Sequence, residues 1–260
     1  MPLSYEARKK IADLFLDSVY RTIERVGDSL SKDLDSKPFH EALIPLDVRV
    51  HSKFERSFST SFGQKAVETI ARVVVEDSGG KAEGQHTEKM HIDRGRLSAI
   101  ELYRENARSN KLKLNWKETL YWIGKNTKLE GELMEVSVKT DLYYSRVGAE
   151  AFFSLKTVKP NIDQTMEAKI DLLKLHYGRN VPSDTLGFGL WYNPYGEGHY
   201  YNYSPPKSVF SMNEDSVVYI GSQFWNTLGG PETYRELIQI ASEVGTNTVR
   251  MIDEAKGEWI

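Results

Sequence analysis

The chain contains no cysteine. That removes disulfides, thiolate zinc sites, iron–sulfur ligation and a cysteine nucleophile from the possible chemistries. No apolar run approaches the roughly 18 residues that a membrane-spanning helix needs. Residues 1–13 lack the apolar segment of a secretory signal. Both absences lead to the expectation of a cytoplasmic protein with no membrane partner. A glycine-rich phosphate loop, a nucleophile elbow, internal repeats and low-complexity tracts are also missing. Neither sign of charge dominates, with 34 Lys+Arg against 37 Asp+Glu. This balance does not exclude nucleic acid, because phosphate binding depends on where the cations sit rather than on their total.

What is present is an ordinary globular composition, 40% hydrophobic and 27% charged over 260 residues, enough to bury a substantial core. The first half reads as helical. Ile11, Phe15, Val19, Ile23, Val26 and Leu30 recur at helical spacing over 4–31, with Ser4 as the N-cap. Residues 56–63 are small and polar, and a helix resumes from Ala66 to Glu76. Residues 80–95 are rich in glycine, histidine and charge without a period and read as a loop. Helices are expected over 96–109 and 115–125. The period then changes to two over 134–141 and again over 150–157, which predicts a hairpin joined through 142–149. A helix over 162–176, strands over 186–193 and 216–220, and two closing helices over 233–244 and 248–256 complete the pattern. The expectation is an α/β fold, a central mixed sheet flanked by helices, with a helical N-terminal region. Residues 1–55 are expected to form that region, whose apolar stripe must be covered either by a second copy, as a dimerisation element, or by its own domain, and 56–260 to carry the chemistry.

One pair of residues stands out chemically. Asp141 ends the first predicted strand and Lys156 lies on the next, with fourteen residues between them. A hairpin of that length sets a carboxylate beside a lysine, the pattern of metal-dependent phosphodiester hydrolysis. The carboxylate holds a divalent cation, and the lysine serves the attacking water and the developing negative charge. The pattern usually has a second carboxylate two residues before the lysine, and here Ser154 stands there. Glu150 shares the strand face but lies about 20 Å away at ~3.3 Å per residue. Glu167, on the following helix, and Glu68, in an otherwise apolar helix, remain as alternative donors.

Other polar residues carry weaker readings. Lys159 and Asn161 follow the catalytic strand, either as phosphate contacts at a helix start or as a strand stop and an N-cap. Arg94 and Arg96 suit guanine contacts in a DNA groove. Asn193 lies in an aromatic run that reaches DNA or packs locally. His86 and His91 have a spacing that fits no strong zinc pattern. Phe224, Trp225, Leu228 and Tyr234 read as core.

Four blocks in order resemble those of the TdeIII-like type II restriction endonucleases: RSFSTSFGQKAVETIARVVVE from Arg56, AFFSLKTVKPN from Ala151, WYNPYG from Trp191 and IGSQFWNTLGGPETYREL from Ile220. The resemblance implies a PD-(D/E)xK nuclease fold. It implies Asp141 and Lys156 as the catalytic pair and Glu68 as the acidic residue of the first core helix. It also implies Mg2+ held by Asp141, the Leu155 carbonyl and a glutamate, Glu68 or Glu167, recruited in place of Ser154. The implied substrate is double-stranded DNA with a short GC-rich palindrome such as GGNCC. A homodimer follows from the palindrome, and a cognate DNA methyltransferase is the implied genetic partner. Ser154 departs from the family glutamate and leaves a rival reading, a DNA-binding protein with an inactive nuclease centre.

Overall fold

The computed structural model describes residues 2–33 and 37–259. Four N-terminal helices, α1 (Tyr5–Asp33), α2 (Pro38–Leu43), α3 (Leu46–Ser61) and α4 (Val67–Asp77), precede the first strand, β1 (Lys81–Asp93). Helices α5 (Arg94–Arg108) and α6 (Trp116–Asn126) lead into the hairpin of β2 (Leu133–Arg146) and β3 (Ala149–Lys156). After α7 (Ile162–Arg179) come β4 (Leu186–Leu190), a short α8 (Ser204–Lys207), β5 (Val218–Ile220), α9 (Ser222–Gly229) and α10 (Thr233–Trp259). The five strands form one sheet in the order β1-β2-β3-β4-β5, antiparallel through β3 and parallel from β3 to β5. This is the expected mixed α/β architecture. Among the described residues no helix is long and apolar enough to cross a membrane.

Two cores lie on the two faces of the sheet. One packs α5, α6 and α7 against Phe152, Phe188 and Leu190. The other packs α1, α4, α9 and α10 against Leu142, Tyr144 and Phe153. Phe224 and Leu228 are fully buried in the second, as expected for the FWNTL block.

The structure corrects several readings, each for a physical reason. Residues 81–93 form β1, not a loop. The strand does alternate, but its inward positions include Gly84, His86 and Glu88, so hydrophobicity does not mark the period. Ion pairs replace apolar packing there: His86 sits between Glu83 and Glu88, and Arg179 of α7 bonds Glu88 and Glu150. The 56–63 stretch is helical and runs through a π turn, Phe62–Ala66, into α4. Its hydroxyls bond within the helix, Thr60 to the Arg56 carbonyl and Ser61 to that of Ser57. The hairpin turn is only Val147-Gly148, with Gly148 at φ +76°. Strand β2 runs on to Arg146 because Leu142 and Tyr144 face one core and Tyr143 the other. The two closing helices are one, α10, because Leu237, Ile240 and Ala255 keep a single buried face on either side of Gly245.

The apolar stripe of α1 is covered by its own chain. Ile11, Val19 and Val26 are buried, and α1 packs on α3 and α10. Of the two coverings open to this stripe, the one within the chain is present. The side chain of Leu30, counted in that stripe, lies outside the described residues. The expected boundary between 55 and 56 falls inside α3.

Lys169 of α7 is fully buried. Its ammonium donates to the carbonyls of Leu114 at 2.8 Å and Val209 at 2.7 Å and lies over the rings of Tyr103 and Phe210. Burial drives its pKa from 10.5 to about 7, against the opposing pull of Asp215 and Glu118. Lys169→Met leaves two buried carbonyls without donors and costs on the order of 3 kcal/mol in urea unfolding. The native state releases this proton near pH 7 while the unfolded chain holds it to about 10.5. The parent therefore gains stability relative to the variant as pH rises from 7 to 9. A pH-independent gap contradicts this assignment.

Candidate active site

The site lies where the β1–β2 ribbon passes from one core to the other. Along β1, Ala82 and Gly84 lie on the α4 side, whereas Met90 and Ile92 lie in the α7 core. His86 stacks on Tyr143 in that second layer. All five positions are even-numbered, so simple alternation would place them on one face. The exchange occurs at Gln85, which adopts φ +54°, a left-handed conformation that a non-glycine residue takes only when its surroundings enforce it. The β1–β2 register places Gln85 opposite Asp141, since Gly84 pairs with Leu142 and His86 with Thr140. Strand β2 changes face at the same point: Val138 belongs to the α7 core and Leu142 to the α4 core.

Asp141 is the hub. Its Oδ2 accepts from the Leu155 backbone N–H at 2.7 Å, from Lys156 Nζ at 3.0 Å and from Ser154 Oγ at 3.4 Å. Its Oδ1 accepts from Gln85 Nε2 at 3.4 Å, and the same nitrogen donates to Glu68 Oε2 at 2.7 Å. Glu68 stands on the open edge of α4, whose other face buries Val67, Ile70, Ala71 and Val74. Glu68, Gln85, Asp141, Leu155 and Lys156 line one cavity of about 670 Å³. Gly84 permits the approach: a Cβ there would fall on the Glu68 carboxylate.

Sequence reasoning therefore placed Asp141, Ser154, Leu155, Lys156 and Glu68 in one constellation, and the structure brings them together. It does not bring Glu167 there. That carboxylate pairs with Arg104 at the surface of α7. One turn later on the same helix face stands Asp171, within electrostatic reach of Lys156 and Asp141. Burial raises its pKa, opposed by Lys174, Lys156 and Arg104, with Asp141 also in electrostatic reach. Its sequence signal was a lone carboxylate between the buried Ile170 and Leu172. Gln85 was missed altogether, because a glutamine in a segment read as loop carries no signal.

Of the remaining expected residues, Asn161, Arg94, Arg96 and Asn193 have local partners. Asn161 is the N-cap of α7 in a reciprocal capping box with Gln164, and Gln164 lines the cavity. Lys159 is exposed just before it. Arg94 pairs with Glu132 and Glu130, and Arg96 lies over the Tyr177 ring at 4.4 Å. Both follow the far end of β1, about 26 Å from Gln85 along the strand. Asn193 donates to the His199 carbonyl and accepts from the Tyr195 N–H, closing its own turn. His86 and His91 differ by an odd number of positions on one strand, so they do not share a face. Burial acts to lower the His86 imidazole, but its hydrogen bonds to Glu88 and Glu83 outweigh this and raise it.

Among the described residues no three His, Cys, Asp or Glu side chains converge into a metal cage. The donor set is nevertheless of the kind Mg2+ takes. That ion is bound by one or two carboxylates and completes its shell with water and phosphate oxygens. Glu68 and Asp141, held by one amide, with Leu155 lining the same cavity, fit that requirement.

Comparison with known proteins gives the chain's kinship. The family described as type II restriction endonuclease, HinfI, matches residues 7–245. The chain is 32% identical to the type II restriction enzyme HgiEI of Herpetosiphon aurantiacus, over 87% of this chain and 83% of that one. It is 31% identical to HgiBI of the same organism over the same shares, and 31% identical to HgiCII over 84% and 80%. No solved structure matches significantly. The kinship expected from the four blocks thus holds for PD-(D/E)xK-like type II restriction endonucleases, and the matching family is HinfI rather than specifically the TdeIII-like one.

Gly84→Ala tests the geometry. The flexible end of Glu68 yields to the new methyl group, so the thermal midpoint should move little, while displacing that carboxylate by about 1 Å should cost roughly tenfold or more in DNA cleavage rate. Unchanged cleavage would remove Glu68 from the site.

Proposed function

The chain belongs to the HinfI family of type II restriction endonucleases, and we propose that it hydrolyses both strands of double-stranded DNA at a short palindromic site in a Mg2+-dependent reaction. The observation that carries this reading is the convergence of Glu68, Asp141 and Lys156, from three separate elements, on one open cavity.

Asp141, Glu68 and the Leu155 carbonyl would hold the Mg2+, which acidifies a bound water and offsets phosphate charge. Lys156 orients the attacking water and stabilises the charge that develops on the phosphate. Asp141 fixes that ammonium and, through the Leu155 N–H, the strand that carries it. Ser154 fills the position of the usual second carboxylate with a neutral hydroxyl, and Glu68 supplies the missing charge from α4. Asp171 adds negative potential from the α7 side.

The surroundings suit a polyanion. The cavity opens past Lys65 and Thr69 into a second groove along α1, lined by Arg25 and by Arg21, the latter paired with Asp17. A nucleic acid strand leaving the catalytic cavity would meet these cations as phosphate contacts. A GC-rich palindrome, with GGNCC as the first sequence to test, implies a two-fold symmetric enzyme and hence a homodimer. It also implies a DNA methyltransferase that protects the host site.

Digestion of unmethylated phage DNA should give discrete bands with Mg2+ and none with excess chelator. Lys156→Ala should lose about 100-fold or more of the rate while still binding the site. Ser154→Glu, which restores the usual carboxylate, should keep the same band pattern. Tight specific binding without cutting by parent and Ser154→Glu alike would favour an inactive nuclease centre and overturn the proposal.

A further inference from the structure

Among the described residues, Gln85 is the one uncharged side chain that touches both carboxylates of the site. Its Nε2 lies between Glu68 Oε2 and Asp141 Oδ1, donating to each. A donor shared by two carboxylates occupies the position that a cation shared by them takes, so amide and cation compete for the same oxygens. The backbone marks the residue as well. At φ +54° glycine would be accommodated without strain, yet a long side chain stands there, aimed into the cavity it lines.

We infer that Gln85 is a metal-site residue: its NH2 group holds Glu68 and Asp141 together, and half a turn of the amide presents its carbonyl oxygen as a further hard donor to the divalent cation. Glutamine suits both roles because one planar group carries two donors and an acceptor. A carbonyl oxygen belongs to the ligand class that Mg2+ and Mn2+ accept. On this account the strained residue at the ribbon crossing has two tasks. Its backbone turns β1 from one core to the other, and its side chain supplies the neutral member of a donor set that Ser154 leaves short. The inference rests on the nuclease reading of the cavity and goes beyond it, since neither the catalytic pattern nor the family blocks include this position.

The test is Mn2+ binding to the full chain without DNA, followed by the loss of the free-ion electron paramagnetic resonance signal, for parent, Gln85→Gly, Gln85→Glu and Asp141→Asn. Gln85→Gly relieves the backbone and should be at least as heat-stable as the parent, yet its Mn2+ affinity should fall about tenfold. Gln85→Glu adds charge at the same point and should raise affinity about tenfold. Asp141→Asn should abolish binding. If Gln85→Gly and Gln85→Glu both bind as the parent does while Asp141→Asn does not bind, Gln85 has no role in the metal site and the inference is overturned, with the site itself intact. If the parent shows no Asp141-dependent binding at all, the metal reading beneath it fails too.

Discussion

The structure turns on a single backbone conformation in the middle of an otherwise regular strand pair. An antiparallel ribbon has two faces, and a residue on one face cannot reach a helix packed on the other. At Gln85 and Asp141 the β1–β2 ribbon exchanges faces, so that Ala82, Gly84 and Leu142 lie on the α4 side while Met90, Ile92 and Val138 lie in the α7 core. The exchange sets the start of α4, with Glu68, beside the end of β3, with Lys156, although the two belong to different layers. It also explains why the crossing is the polar point in a largely apolar sheet. The groups there satisfy one another through Asp141 rather than through packing.

Local features elsewhere serve this crossing. Gly84 clears the space into which Glu68 reaches. The π turn before α4 places Gly63 and Lys65 along the cavity wall, a position where such turns often accompany function. Helix α7 is fixed at its start by the Asn161–Gln164 box and along its length by the buried Lys169. The elements around the cavity are therefore held by caps and by buried polar bonds as well as by hydrophobic area.

Much of this was legible in the sequence where hydrophobicity carries the period. The α1 and α4 stripes, the β3 alternation through Phe152, and the aromatic core of α9 stand where the pattern puts them. The closeness of Asp141 and Lys156 was legible too, because both lie on strands whose ends can be counted. The failures share a cause. Strand β1 was hidden because its inward side chains include His86 and Glu88, which are balanced by Arg179 rather than by apolar neighbours. Glu167 stood out by residue type alone, while its surface partner Arg104, 63 residues away, could not be read from the sequence. Arg94 and Arg96 look like free cations in a sequence, but Glu132 and the Tyr177 ring engage them. Gln85 acquires meaning only from a φ angle and from two partners 17 and 56 residues away.

Glu68 and Asp141, brought from α4 and β2 by the ribbon crossing, are expected to act as one unit in cleavage. A double-mutant cycle of Glu68→Gln and Asp141→Asn, read by single-turnover cleavage of a DNA duplex carrying the mapped site, tests it most directly. Each substitution alone should cost about 100-fold or more, and the double variant should be scarcely slower than either, as for residues that function together. Losses that multiply in the double variant, or a Glu68→Gln enzyme as fast as the parent, would contradict it.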